Sequence, residues 1–249
     1  MRTIGVPSGL AVTVVCVVIA LGAPAGASAA RCAGSEAPAP RVGSGLFFGV
    51  AATSACNVWA VGLSNQGNGD LVEHWDGTAW KVQKRPNIGN ADSGVAAVSA
   101  RDVWTVGYIN NERCSSCPNR LRAQAAHWNG KAWKLHNLHR GTLDGVAAMS
   151  ARDVWAVGSF SATDYAKGTL IERWNGKTWK VQPSPNVGLL SAVTATSATN
   201  AWAVGGSAIL HWNGMPGRCR RGPRAPCSSA WPRYRHATPG LWATPTPRR

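Results

Sequence analysis

Short stretches of alternating apolar and polar residues recur along the chain and predict β-strands. Four segments share one pattern, a small-residue strand, a polar turn and a second β-branched strand that ends in Gly. They read GVAATSACNVWAVG at 49–62, GVAAVSARDVWTVG at 94–107, GVAAMSARDVWAVG at 145–158 and AVTATSATNAWAVG at 192–205. Helical periodicity is missing from the sequence. The pattern therefore predicts an all-β protein built from repeats.

A second unit follows each of these segments and predicts a hairpin. The copies read EHWDGTAWKV at 73–82, AHWNGKAWKL at 126–135, ERWNGKTWKV at 172–181 and LHWNG at 210–214. Asp-Gly or Asn-Gly between alternating residues is typical of two-residue turns in which both residues have positive φ. That turn predicts that Trp75 faces Thr78, that Glu73 faces Trp80 and that Leu71 faces Val82.

The Trp residues of the second strands recur every 45–51 residues, a period typical of β-propeller blades. We expect three complete four-stranded blades at 45–92, 93–143 and 144–190, and a partial fourth at 191–214. The hairpin indoles should be buried between neighbouring blades. The structural Trp residues of the repeat are Trp59, Trp75, Trp80, Trp104, Trp128, Trp133, Trp155, Trp174, Trp179, Trp202 and Trp212.

The repeat resembles two groups of propellers over roughly residues 45–214. DVWAVG followed by ERWNGKTWKV resembles the kelch and galactose-oxidase-like propellers of secreted bacterial proteins, and it also resembles tectonin repeats. The resemblance implies a propeller fold, and the tectonin likeness implies sugar binding. It does not extend to copper oxidation, which needs converging Tyr, Cys and His ligands. Before residue 215 the Tyr residues are Tyr108 and Tyr165, which we place in loops.

The amino terminus predicts export. Residues 1–30 have Arg2, an apolar stretch at 9–21 and the small-residue cleavage site Ala27-Ser28-Ala29, as in a signal peptide. The apolar stretch is too short to span a bilayer comfortably, so we expect a secreted protein without stable membrane insertion. Residues 31–44 should form a flexible leader.

The net charge of +15 is unevenly distributed. Residues 215–249 hold eight Arg and no acid, which leaves +6 for residues 31–214. That excess is ordinary for a mixed surface, and we expect no nucleic-acid partner.

The basic tail at 215–249 shares nothing with the repeat and is rich in Arg, Pro and Ala. Read one base out of frame, the codons from residue 230 onward are compatible with twelve of the thirteen positions at 95–107. We therefore expect that a frameshift near codon 214 truncated a propeller of at least five blades. The open blade faces would then need a partner to close the ring.

The cysteines and histidines do not form a recognisable catalytic set. Cys114 and Cys117 lie in the longest predicted loop and favour a small disulfide in an oxidising compartment, and Cys32 could pair with Cys56 if the leader folds back. His74, His127 and His211 share a repeat position with Arg173, which indicates solvated strand sites. His136 and His139 should lie in an inter-blade surface loop.

The acidic positions also favour structural roles. Asp102 and Asp153 alternate with Asn57 and Asn200, so we assign them to turn geometry. Glu73 and Glu172 are replaced by Ala126 in the second copy, and we find no pair of catalytic carboxylates. We predict no catalytic residues, no metal ligands and no cofactor.

The resulting hypothesis is a secreted, non-catalytic binding or scaffold propeller. Its ligand would contact the loops at 63–70, 108–123 and 159–168, where the copies differ most. Exposed Trp and polar loop residues favour a cell-surface carbohydrate, with a protein partner as the next choice. The alternative is a fragment of an extracellular oxidase or hydrolase whose catalytic blades are missing.

Resequencing the gene from codon 200 to several hundred bases beyond the stop codon tests the frameshift hypothesis. We expect one base to be gained or lost near codon 214, with further copies of the repeat in the restored frame. An unchanged frame, together with tail peptides in the secreted protein, would contradict it.

Overall fold

The computed structural model describes Cys32 and residues 45–64, 69–84, 91–110, 121–160, 168–206, 208–214 and 233–234, which form β-strands and connecting turns without a helix. The first sheet comprises β1 (Gly45–Ser54), β2 (Asn57–Ser64), β3 (Gly69–Trp75) and β4 (Trp80–Val82). The second comprises β5 (Ala91–Ser99), β6 (Asp102–Asn110), β7 (Leu121–Trp128) and β8 (Trp133–Arg140). The third comprises β9 (Thr142–Ser150), β10 (Asp153–Ser159), β11 (Thr169–Trp174) and β12 (Trp179–Val181). The fourth comprises β13 (Ala192–Ser197), β14 (Asn200–Gly205), β15 (Ala208–Trp212) and β16 (Arg233–Tyr234).

Each sheet is an antiparallel meander whose strands pair in chain order. The first strands of successive sheets contact one another, β1 with β5, β5 with β9 and β9 with β13, and so lie on the inner side of the stack. This is the arrangement of blades in a β-propeller. The predicted fold class, an all-β propeller of four-stranded Trp-rich blades, is confirmed. The fourth strand of the last sheet, β16, comes from the segment that we assigned to the tail, and it pairs with Ile209 and Leu210.

The predicted hairpin register is wrong by two residues. Trp75 pairs with Trp80 and Glu73 with Val82, and the third blade repeats this with Trp174 opposite Trp179. The cause lies in the turn, because the Asp76 carboxylate accepts hydrogen bonds from the backbone N–H groups of residues 78 and 79, both at 2.9 Å. Gly77 has a φ of +91°, whereas no non-glycine residue of the described chain has positive φ. The turn therefore spans four residues, 76–79, instead of two.

Tryptophan contacts between neighbouring sheets form the core. The second-strand Trp59 packs against both hairpin indoles of the next blade, with ring centroids 6.1 Å from Trp128 and 5.8 Å from Trp133. Trp104 makes the same contacts with Trp174 and Trp179, both at 5.5 Å. Branched aliphatic residues and alanines of the second and third strands fill the space around these rings. The predicted packing of hairpin indoles between blades is thus observed for the second and third blades.

The two outermost sheets expose apolar side chains. Trp59, Trp104 and Trp155 are at most 1% exposed, whereas the equivalent Trp202 of the last sheet is 36% exposed. The other large apolar side chains exposed on these two sheets are Leu46, Phe47, Phe48, Val50, Val82 and Val204. Contiguous exposed apolar surface is typical of interaction sites.

Replacing Trp104 by Ala should lower the free energy of unfolding by about 3–5 kcal/mol, because it removes a fully buried indole and leaves a cavity. Trp202→Ala is the matched control at the same repeat position, and it should cost less than half as much because Trp202 is partly exposed. Urea unfolding followed by far-UV circular dichroism measures both. Equal losses would contradict the assignment of the inter-blade core.

Candidate functional site

Each blade contains one set of three contacting side chains, which we call the polar triad. It consists of the Asn or Asp of the first turn, the His or Arg of the third strand and the Trp of the second strand. The triads are Asn57–His74–Trp59, Asp102–His127–Trp104, Asp153–Arg173–Trp155 and Asn200–His211–Trp202. The second and third strands are adjacent, so the basic side chain lies over the indole of its neighbour.

The triads explain why His and Arg alternate at one repeat position. His127 stacks on Trp104 at 4.1 Å between ring centroids, and its Nε2 lies 2.8 Å from an Asp102 carboxylate oxygen. Arg173 places its guanidinium 4.6 Å from the centre of the Trp155 ring and donates two hydrogen bonds to the Asp153 carboxylate, at 2.8 and 2.9 Å. Both side chains present a flat cationic or polar group to an indole face.

The prediction that these positions are solvated strand sites is therefore wrong. The side chains are half-buried, and burial lowers the pKa of His74 below its usual range. The assignment of the Asn and Asp residues to turn geometry was incomplete, since they also hold the His or Arg in place. The available signal for this network was that the single Arg at the third-strand position occurs with Asp, whereas both Asn residues of the first turn occur with His.

His136 and His139 lie on strand β8 and not in an inter-blade loop. The imidazole of His136 lies between Trp104 and Trp174, 5.6 and 5.0 Å away, and burial lowers its pKa to about 4. His139 contacts the fully buried Glu172 of the next blade, with Nδ1 2.9 Å from a carboxylate oxygen. Strand β8 continues to Arg140, beyond the point where β4 and β12 end, and this extension brings both histidines against the third blade.

Three further carboxylates lie inside the fold. Glu73 and Asp92 are 2% and 0% exposed, and burial raises the pKa of Glu73. Burial raises the pKa of Asp144 to about 6, partly offset by a hydrogen bond from the Thr142 hydroxyl at 3.2 Å. Within the described residues, no three His, Cys, Asp or Glu side chains come together as a set of metal ligands.

The cysteine and loop predictions have different outcomes. Cys32 and Cys56 form a disulfide with their Cα atoms 5.4 Å apart, so the leader does reach the first blade. Cys114, Cys117 and Tyr165 lie outside the described residues. Tyr108 belongs to strand β6 instead of a loop. The predicted ligand loops also overlap strand ends, and the segments between those strands, 65–68, 111–120 and 161–167, are outside the described residues.

The connections divide between the two ends of the sheets. Because the strands alternate in direction, the β2–β3, β6–β7 and β10–β11 connections all lie at one end, which we call the loop end. The first turns of the four blades and the hairpin turns of the first three lie at the other end, which we call the turn end. An open pocket of about 380 Å³ lies at the turn end of the third blade. Its lining residues are Arg152, Asp153, Arg173, Asn175, Lys180 and Gln182.

No protein-family model and no curated protein matches this chain. Solved structures that are similar to it include YCF48 bound to D1 peptide, with 13% identity and a TM-score of 0.42 over 67% of this chain and 48% of that one. U3-55K has 10% identity and a TM-score of 0.46 over 67% and 49%. An Aleuria aurantia lectin mutant in complex with Fucalpha1-6GlcNAc has 15% identity and a TM-score of 0.45 over 68% and 58%. The chain thus spans about half the length of these proteins. None of the described residues forms a helix that could cross a membrane.

Asp144→Asn should stabilise the protein at neutral pH. The folded-state pKa of Asp144, about 6, lies above its ordinary value of 3.8, so the folded state holds the proton more tightly. Wild-type stability should therefore fall by up to about 3 kcal/mol as the pH rises from 4 to 6, and stay low above that. In Asp144→Asn this fall should disappear, whereas Asp76→Asn should retain it because Asp76 is exposed and its pKa is lowered. The midpoints of urea unfolding between pH 4 and 8 measure this difference. If the midpoint depended on pH equally in wild type and in Asp144→Asn, a raised pKa of Asp144 would be refuted.

Proposed function

We propose that this chain is an exported, non-catalytic β-propeller that binds an extracellular carbohydrate or protein. One observation carries the proposal, namely that acidic residues of the repeat are bonded to His or Arg residues within the scaffold. Asp102 and Asp153 hold His127 and Arg173 of their own blades, and Glu172 holds His139 of the neighbouring blade. The repeat therefore forms a rigid scaffold. The connections at the loop end, whose sequences differ between blades, supply the residues that would contact a ligand.

Export is supported by two independent features. Residues 1–30 have the pattern of a signal peptide with a cleavage site before Ala30. The Cys32–Cys56 disulfide joins the segment that follows to the first turn of the first blade, and such bonds persist in oxidising compartments.

The ligand class rests on the loop-end segments and on the resemblance to tectonin and kelch-like repeats. Polar side chains suited to sugar hydroxyls occur in the segments at 65–68, 111–120 and 161–167. The repeat predicted exposed Trp residues that could stack on a sugar, but the second-strand Trp residues of the first three blades are buried between sheets. We therefore assign sugar recognition to the polar loop residues, with a protein partner as the alternative ligand.

We also propose that the outermost sheets need a cover that closes the ring. The support is the apolar surface of β1 and β14, which includes Phe47, Val50 and Val204 at 41–48% exposure. Further copies of the same repeat would have the faces that fit these sheets.

Replacing residues 111–120 by a Gly-Ser linker of equal length tests the loop-end assignment. Binding to an array of cell-envelope glycans and secreted proteins should weaken by at least about tenfold, because the contacting side chains are removed. The same replacement at 161–167 provides a second, independent variant. Melting temperatures should change little, since the described strands on either side of each segment are left intact. Unchanged binding in both variants would contradict the proposal.

A further inference from the structure

The turn end of the second and third blades carries six exposed cations, which we call the basic row. They are Arg101, Lys131 and Lys134 of the second blade and Arg152, Lys177 and Lys180 of the third. Their sequence positions are scattered, and the chain shows no basic run before residue 215. The fold assembles them, because the first turn and the hairpin turn of each blade lie at the same end.

The hairpin turns fix the two arginines of the basic row. A Cβ atom on Gly130 would lie 2.8 Å from the Arg101 Cβ, and one on Gly176 would lie 3.0 Å from the Arg152 Cγ. Both glycines have a φ near +90°, so the arginine stem packs directly over the bare backbone of the turn. The stems of Arg101 and Arg152 therefore pack on the hairpin turn at the same place in each blade.

The acidic residues at this end do not neutralise the basic row. Asp102 is bound to His127 and Asp153 to Arg173, both within their own triads. In the first blade Asp76 of the hairpin turn binds Lys81 at 2.5 Å, whereas the second and third blades have Asn129 and Asn175 at that position. Among the described residues, no carboxylate pairs with Arg152 or Lys180.

The pocket of the third blade combines two of these cations with amide groups. Arg152 and Lys180 line it together with Asn175 and Gln182. The Asn175 side-chain oxygen accepts two turn hydrogen bonds at 2.9 Å, which leaves its NH₂ group as a donor. The Gln182 NH₂ group donates to the Lys180 carbonyl at 3.1 Å, which leaves its side-chain oxygen as an acceptor. At about 380 Å³ the pocket falls in the lower part of the size range of small-ligand sites.

We infer that this pocket is a second binding site, distinct from the loop end, for an acidic saccharide. A sugar carboxylate would accept hydrogen bonds from Arg152 and Lys180, and neighbouring hydroxyls would pair with Asn175 and Gln182. The equivalent cations of the second blade would contact the next acidic unit of a polymer. A nucleic acid fits less well, because base stacking needs an exposed aromatic surface, and Trp155 is fully buried beneath Arg173.

The test uses the secreted full-length chain and polygalacturonate, with fully methyl-esterified polygalacturonate as the uncharged counterpart. The variant is Arg152→Gln with Lys180→Gln, since Gln retains part of each stem. The matched control is Lys84→Gln with Arg140→Gln, which removes one Lys and one Arg from exposed positions outside both the basic row and the predicted ligand loops. Melting temperatures establish that each protein is folded.

We expect the wild type to bind polygalacturonate and not its ester, and the pocket variant to bind at least about tenfold more weakly. The control should lose less than about twofold. Equal losses in both variants would overturn the inference, because net charge alone would then explain binding. The inference would also be overturned if the wild type bound no polygalacturonate or bound the ester equally well. It would be overturned too if a single-stranded oligonucleotide bound more tightly than polygalacturonate and its binding depended equally on Arg152 and Lys180.

The outcome is separable from that of the proposed function. The 111–120 replacement should retain polygalacturonate binding, and the pocket variant should retain any ligand of the loop end. Loss of polygalacturonate binding in the loop variant alone would refute the pocket and leave the loop-end function standing.

Discussion

The contact between an indole of one blade and two indoles of the next is the interaction on which the rest of the structure depends. A single Trp-rich sheet cannot bury its own faces, so Trp104 is covered only when Trp174 and Trp179 of the following blade pack against it. The same contact recurs between the first and second blades. Repetition of this interface determines the spacing of the blades and places their inner strands side by side.

The polar triads cover the faces of the second-strand indoles with polar side chains. One face of each second-strand indole is covered by the His or Arg of the adjacent strand, which the first-turn Asn or Asp holds in place. This arrangement uses the first-turn carboxylates and the third-strand His or Arg inside the scaffold. It also leaves the lysines and arginines of the turns as the main exposed charges of one end, so that the same repeat that stabilises the fold generates a basic surface.

The strand order and the inter-blade Trp contacts followed from the sequence because they rest on local alternation and on repetition. The hairpin register did not follow from the sequence. The side chain of Asp76 closes a four-residue turn, although Asp-Gly in the sequence is typical of a two-residue turn. The roles of His136 and His139 were missed because strand β8, which carries them, is longer than the equivalent strands β4 and β12 of the other blades. The basic row was missed because its residues are distant in sequence, and only the folded sheets bring them to one end.

A double-mutant cycle on Trp104 and Trp179 tests the central claim most directly. The two rings lie 5.5 Å apart in different blades and make an edge-to-face contact. The account predicts that the two Ala substitutions are coupled by about 0.5–1.5 kcal/mol in the free energy of unfolding, while the non-contacting pair Trp75 and Trp179 is additive. Additive effects of Trp104→Ala and Trp179→Ala would show that contacts between the indoles of neighbouring blades do not hold the blades together.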